Sequence, residues 1–175
     1  MPIAFPCRLY LLAAALLSAS PAAAHVFLKD RQASPGAEYR AVFVVPHGCA
    51  GSPTTKLRVQ IPEGVIATEA KPAEGWSVET IKGKYTSEIE YKGAKVSEGI
   101  REVAWSGGKL PDKTRQEFVI ETYLSDGLKP NTTLYFPAVQ ECEKGVSRWI
   151  EIPPAGMAHP DEGSWPAPGV KLTRP

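Results

Sequence analysis

Turn-forming residues interrupt this sequence too often for long helices to form. Seventeen prolines and 15 glycines occupy 32 of 175 positions with no collagen-like period. Such a composition favours short strands joined by turns and nearly excludes an all-helical bundle. Turn words recur at Ser34-Pro35-Gly36, His47-Gly48, Gly51-Ser52-Pro53, Pro62-Glu63-Gly64, Lys82-Gly83, Lys92-Gly93, Ser106-Gly107-Gly108 and Ser125-Asp126-Gly127. Between them, apolar and polar residues alternate with the period of a half-buried strand. The clearest run is Lys56 to Ile61; Phe118, Ile120, Thr122 and Leu124 make another face, and Leu134, Phe136 and Ala138 a third. Ala41 to Val45 is apolar throughout and suits a strand covered on both sides. Strands are predicted near 25–29, 38–46, 55–61, 65–69, 76–82, 85–92, 100–105, 116–124, 132–138 and 147–152, the spacing of an all-β, two-sheet antiparallel β-sandwich.

The first 24 residues read differently. A lone basic residue, Arg8, precedes the apolar run Leu9 to Ala19, and Ser20 to Ala24 supplies the small residues of a cleavage region. This is the pattern of a secretory signal peptide cut after Ala24. The run is too short for a membrane anchor, which needs about 20 apolar residues, and no second one follows, so no membrane span is expected after processing. Cys7 lies ahead of the apolar run, not at the cleavage point, so lipidation is not indicated. From Pro153 onward six prolines fall in 23 residues, which predicts an extended strap with Val170 to Leu172 pairing as an edge strand. The expected organisation is therefore a signal peptide over 1–24, a β-sandwich over 25–152 and a Pro-rich extension over 153–175 packed on the domain.

Without the signal, 19 basic residues balance 19 acidic ones. Nucleic acid and anionic lipid thus have no electrostatic claim on the protein. The same cut removes Cys7 and leaves Cys49 and Cys142 as an even pair in an oxidising compartment, where a bridge is expected. Two thiolate metal ligands are the alternative, but no CxxC spacing supports it.

Hydrolase, nucleotide and zinc-protease signatures (GxSxG, P-loop, GxGxxG, HExxH) are missing from the sequence. What stands out is that cleavage after Ala24 leaves His25 as the first residue. Its free α-amine and imidazole Nδ1 can grip one metal ion in a six-membered chelate ring, and both are nitrogen donors suited to Cu(II). Metal binding there displaces a proton, so affinity should fall in acid. Of the other two histidines, His47 sits in a turn two residues before Cys49, as a turn histidine or a second ligand, and His159 lies in the strap.

His25-Val26, the run Val45 to Thr55 containing Pro46-His47-Gly48-Cys49, the run Val59 to Val65 containing Ile61-Pro62-Glu63-Gly64, the stretch Lys71 to Trp76 and Arg148-Trp149-Ile150-Glu151-Ile152-Pro153 occur in order along the chain. Together they resemble the YcnI-like (DUF1775) copper-binding proteins. The resemblance implies an immunoglobulin-like β-sandwich holding one Cu(II) in a mono-histidine brace: the N-terminal amine and imidazole, a glutamate, and a tryptophan near the metal. Residue by residue, it implies His25 as the brace, Glu63 as the carboxylate with Glu38 and Glu151 as alternatives, and Trp149 as the tryptophan. An indole does not ligate through its protonated nitrogen, so Trp149 is expected to shield the site, pack on the His25 ring or offer a cation–π face. Each residue also has a plain structural role open to it, Glu63 as a solvated turn residue and Trp149 as core.

The leading expectation is a non-enzymatic, periplasmic Cu(II)-binding protein in copper trafficking, working with copper chaperones or membrane copper transporters as the resemblance implies. A copper-dependent enzyme of the polysaccharide monooxygenase type would need a second histidine, which only His47 or His159 can supply. A metal-free β-sandwich interaction module is the third possibility.

Overall fold

Period-two segments bounded by Gly, Pro and Asp leave the chain no local alternative to strands, and strands are what it forms. The computed structural model describes residues 25–154 and 165–174; the signal peptide expected over 1–24, Met157 and His159 lie outside the described residues. Twelve strands follow in order: β1 (Phe27–Leu28), β2 (Gln32–Ala33), β3 (Glu38–Val45), β4 (Thr54–Gln60), β5 (Val65–Ala70), β6 (Ser77–Tyr91), β7 (Ala94–Leu110), β8 (Gln116–Leu124), β9 (Thr133–Tyr135), β10 (Ala138–Cys142), β11 (Val146–Trp149) and β12 (Gly169–Leu172). No helix occurs among the described residues.

One sheet has the order β1-β3-β8-β5 and the other β11-β10-β4-β7-β6, all antiparallel. Their inner faces enclose a core in which Trp105, Phe43, Phe118 and Phe136 are fully buried. Phe118 makes aromatic contacts with Trp76 at 5.1 Å and Trp105 at 5.2 Å between centroids, so both tryptophans are core. Gly108 admits this packing, since a Cβ there would stand 2.3 Å from the Trp76 ring.

Four sequence expectations are corrected. Strands 76–82 and 85–92 are one strand, β6, and the Lys82-Gly83 signal marks register shifts against β7 and no chain reversal. Ser106-Gly107-Gly108 likewise lies within β7. The strand placed at 132–138 is two, β9 and β10, because Phe136 and Pro137 carry the chain from a third, small sheet into the main one. In that small sheet, ordered β2-β12-β9, Val170 to Leu172 occupies the middle, with β2 parallel on one side and β9 antiparallel on the other. The C-terminal segment is therefore paired on both flanks, not an edge.

Cys49 and Cys142 form a disulfide with their Cα atoms 6.0 Å apart. The bridge ties the turn after β3 to the end of β10.

Candidate metal centre

His25 enters the fold through β1. Phe27 pairs with Val44 and Leu28 with Phe43, and the same register continued two residues back sets His25 beside Pro46. His25 is thus carried to the end of β3 that leads into the His47-Gly48-Cys49 turn. Its imidazole packs on Trp149, ring centroids 5.3 Å apart and planes inclined by 59°. Trp149, in turn, is 3% exposed on β11 and packs on Trp165 at 4.8 Å.

The indole is held by a buried amide. Trp149 Nε1 donates to Gln140 Oε1 at 3.1 Å. Gln140 Nε2 donates to the His47 carbonyl at 2.7 Å and to Thr54 Oγ1 at 2.8 Å. Gln140 is 1% exposed, so its amide would be costly in the core without these partners. The consequence is that the ring beneath His25 and the backbone of His47 are fixed to the same side chain.

The turn that carries His47 is itself braced. Cys49 and Ser52 exchange backbone hydrogen bonds, both 2.9 Å. Gly48 N–H donates to Asp112 Oδ1 at 3.2 Å. Only glycine fits at position 48, because a Cβ would meet the Ser52 carbonyl oxygen at 2.0 Å. His47 turns its Nδ1 toward the Gly48 carbonyl.

The expected carboxylate is elsewhere. Val44 lies level with Glu117 on β8, whereas Val65, two residues after Glu63, lies level with Leu124 at the other end of that strand. Seven residues at about 3.4 Å each put roughly 24 Å between the two levels. At its own end Glu63 ion-pairs with Arg101 at 2.7 Å and accepts the Thr86 N–H at 3.3 Å. It borders an open cleft of about 770 Å³ with Thr86, Glu88 and Asp126. Burial raises the nearby Tyr85 phenol pKa, Arg101 opposing and Glu63 adding to the rise. Glu63 is therefore a corrected assignment: the structure does not bring it to His25, because the β4–β5 turn is at the opposite end of the sandwich. Glu38 also begins at that far end, opposite Tyr123, and pairs with Lys92 at 3.7 Å. Of the three carboxylates considered, Glu151 is the one on the near side, its Oε2 accepting the Trp165 N–H at 3.0 Å.

The structure thus brings together His25, Trp149, Gln140 and the His47 turn, and adds Trp165 and Asp112, which sequence reasoning did not single out. A signal for Gln140 was present: it shares the inward parity of Ala138 on β10, a polar residue where an apolar one is expected. Among the described residues no three His, Cys, Asp or Glu side chains gather as a metal-binding group. A brace of the expected kind would not need three, because a histidine with a free amine offers two nitrogens.

Fold and site together define an immunoglobulin-like β-sandwich whose first strand lays a histidine on a pinned tryptophan. Its fold is similar to that of an uncharacterized protein from Nocardia farcinica, whose crystal structure reveals an immunoglobulin-like fold. The two are 23% identical over 85% of this chain and 98% of that one, with a TM-score of 0.61. The family model of DUF1775, a domain of unknown function, matches residues 25–172, and the chain belongs to that family. No curated protein matches it.

Proposed function

We propose that the processed chain captures one Cu(II) ion through the amine and Nδ1 of His25 and hands it on as cargo, without catalysing a reaction. The observation that carries this reading is the packing of the His25 ring on Trp149, whose N–H is spent on Gln140. A terminal residue that is normally free to fray is here held against a rigid aromatic face, which lowers the entropy lost when both its nitrogens close on a metal. Trp149 takes no part as a ligand. It keeps water from one side of the site and offers its π face to the cation. Export to the periplasm and exchange with copper chaperones or membrane copper transporters follow from the family resemblance.

Both cysteines are bridged to each other, so a thiolate Cu(I) site is not part of this reading. Copper titration of two purified forms tests it, one beginning at His25 and one with a single alanine ahead of it, with EPR of each complex. Loss of tight one-to-one binding in the extended form is the expected result. Equal binding by both forms would remove the amine from the site and the reading with it.

The oxidative-enzyme alternative draws on one observation, the placement of His47 at the same end of the sandwich as His25. Copper-dependent oxidation of a polysaccharide with peroxide would establish it.

A further inference from the structure

At the end of the sandwich away from His25, the β6–β7 hairpin reaches beyond its own sheet. We propose that its outer part, residues 84–98, is a hinged clasp that lifts as one unit about Gly83 and Gly99 and so opens and closes the cleft beside Glu63. The clasp and the candidate metal centre lie at opposite ends of the molecule, and neither requires the other.

The arm rests on the outside of the other sheet. Val65 and Ala67 of β5 point into the core of the sandwich, so Ile66 between them faces outward, and there it is buried with Tyr85 and Ile89 of the arm. Tyr91 meets Tyr123 of β8 at 5.1 Å between ring centroids, and Lys92 pairs with Glu38 of β3 at 3.7 Å. The arm is thus held by a satellite cluster of three buried side chains that is separate from the main core. A unit fixed by so few buried contacts opens below the free energy of global unfolding.

The root of the arm can bend. Gly83 and Gly99 are register partners, so neither strand carries a side chain at that level. Just beyond, pairing passes from Lys84↔Glu98 to Ile89↔Val96, five steps along β6 against two along β7, which leaves Tyr85 to Glu88 outside the ladder. An interruption of this kind bends a strand and weakens its pairing. Glu63 latches the interruption, accepting the Thr86 N–H at 3.3 Å while it pairs with Arg101 at 2.7 Å. Thr86 to Glu90 form the wall of the cleft that the arm supplies; the turns after β4 and β8 supply the rest. Lifting the arm therefore moves one wall away from the other two.

Closure carries a cost that opening relieves. The Tyr85 hydroxyl lies against Gly99, where a Cβ would stand 1.9 Å from it, and Tyr85 is 7% exposed. That hydroxyl has no hydrogen-bond partner, and neither has the buried Nη1 of Arg101, whose guanidinium carbon is 5.4 Å from the centre of the Tyr85 ring. Unpartnered polar groups oppose the burial of the cluster around them. Opening gives both groups to water while exposing the small cluster, which narrows the gap between the closed and open forms of a two-state element.

Amide hydrogen exchange read by NMR on the chain beginning at His25 tests the clasp. The paired amides of residues 89–96 should share one protection factor, at least about tenfold below those of β3 and β8. Ile120→Val, in the main core, should lower protection in β3 and β8 roughly two- to tenfold and leave the arm unchanged, because the arm opens while the core stays folded. Tyr85→Phe removes the unpartnered hydroxyl and should raise the protection of the arm about fivefold or more, the lower end of the cost of burying such a group. Arm protection that falls together with the core in Ile120→Val, that is graded inward from the Lys92-Gly93 turn, or that is absent altogether would overturn the clasp. A Tyr85→Phe chain whose arm exchanges no more slowly than the parent would overturn it as well.

Discussion

Replacing Gln140 by leucine removes three hydrogen bonds at once and tests whether one buried amide organises the centre. The substitution keeps a similar volume in a position 1% exposed but leaves Trp149 Nε1–H and the His47 carbonyl with no partner from that side chain. A buried donor or acceptor stripped of its partner costs about 1–3 kcal/mol. Two such groups, partly offset by the apolar leucine, give a loss of about 3 kcal/mol, or a melting point lower by about 6–12 °C for a domain of this size. Thr54 is the internal control: Thr54→Val removes a Gln140 partner without touching the indole or His47, so it should cost stability while leaving the copper EPR signal unchanged. Gln140→Glu adds a sign test. A carboxylate can accept from Trp149 but cannot donate to the His47 carbonyl unless protonated, so burial and that carbonyl raise its folded pKa above the unfolded value. The stability of this variant should then be fully present at acid pH below the unfolded pKa and be lost as pH rises through the folded one. Thermal melts against pH, with the Trp149 indole N–H resonance followed by NMR, read all three variants. A leucine variant that melts within about 1 kcal/mol of the parent, with that resonance unmoved, would refute the role given to the amide.

Other outcomes follow from the same structure. Reduction of the Cys49–Cys142 bridge, or its replacement by two alanines, releases a 93-residue separation in the unfolded chain and should cost about 4–5 kcal/mol in the chain-entropy model; a melt insensitive to reductant sinks this. Glu63→Gln should leave copper affinity unchanged and, with the Glu63 side chain 45% exposed and Arg101 26% exposed, cost no more than about 1 kcal/mol; a large drop in affinity would return Glu63 to the metal. Tyr39 donates to the Asp30 carbonyl, and burial, with Asp30 adding, holds its phenol pKa well above the ordinary value of 10.0. Its stabilising contribution is complete below that ordinary value and declines as pH climbs above it, so Tyr39→Phe should flatten the alkaline limb of the stability profile, and an unaltered limb would count against it. Trp165→Ala should cost about 1 kcal/mol and shift tryptophan emission to the red as Trp149 loses its cover, a shift whose absence would contradict the Trp149–Trp165 contact.

The sandwich was legible because its strands carry their own pattern. The predicted strand 116–124 has the limits of β8, since Phe118, Ile120 and Leu124 alternate with half-buried residues and the Ser125-Asp126-Gly127 turn word stands just beyond its end. β6 is not legible in the same way, for a reason that is equally physical. It is the outer strand of its sheet and mostly exposed, from Glu79 to Lys82 without interruption, so neither face is selected for alternation and a glycine in the middle looks like a stop. A glycine signals a turn only when the flanking residues have nowhere else to pair. Here β7 offers 17 residues of partner, and the Lys82-Gly83 step is absorbed as a shift in register.

The candidate centre divides along the same line between local and long-range information. His25 stands out in the sequence as the residue expected to come first after cleavage, with two donor nitrogens, whereas Trp149 enters through the family resemblance. Glu63, with Glu38 and Glu151 as alternatives, also comes from the resemblance, and a local motif does not show whether a turn shares an end of the sandwich with His25, which depends on how many strands run between them. From β3 to β4 the chain crosses the molecule once more, so the turn after β3 stays with His25 and the turn after β4 departs. Parity alone thus keeps the His47 turn, and not the Glu63 turn, at the end of the sandwich where His25 lies. Gln140 ties that end together from the opposite sheet, since a buried amide with two donor hydrogens and one acceptor oxygen finds all its partners only if Trp149, Thr54 and the His47 turn converge on it.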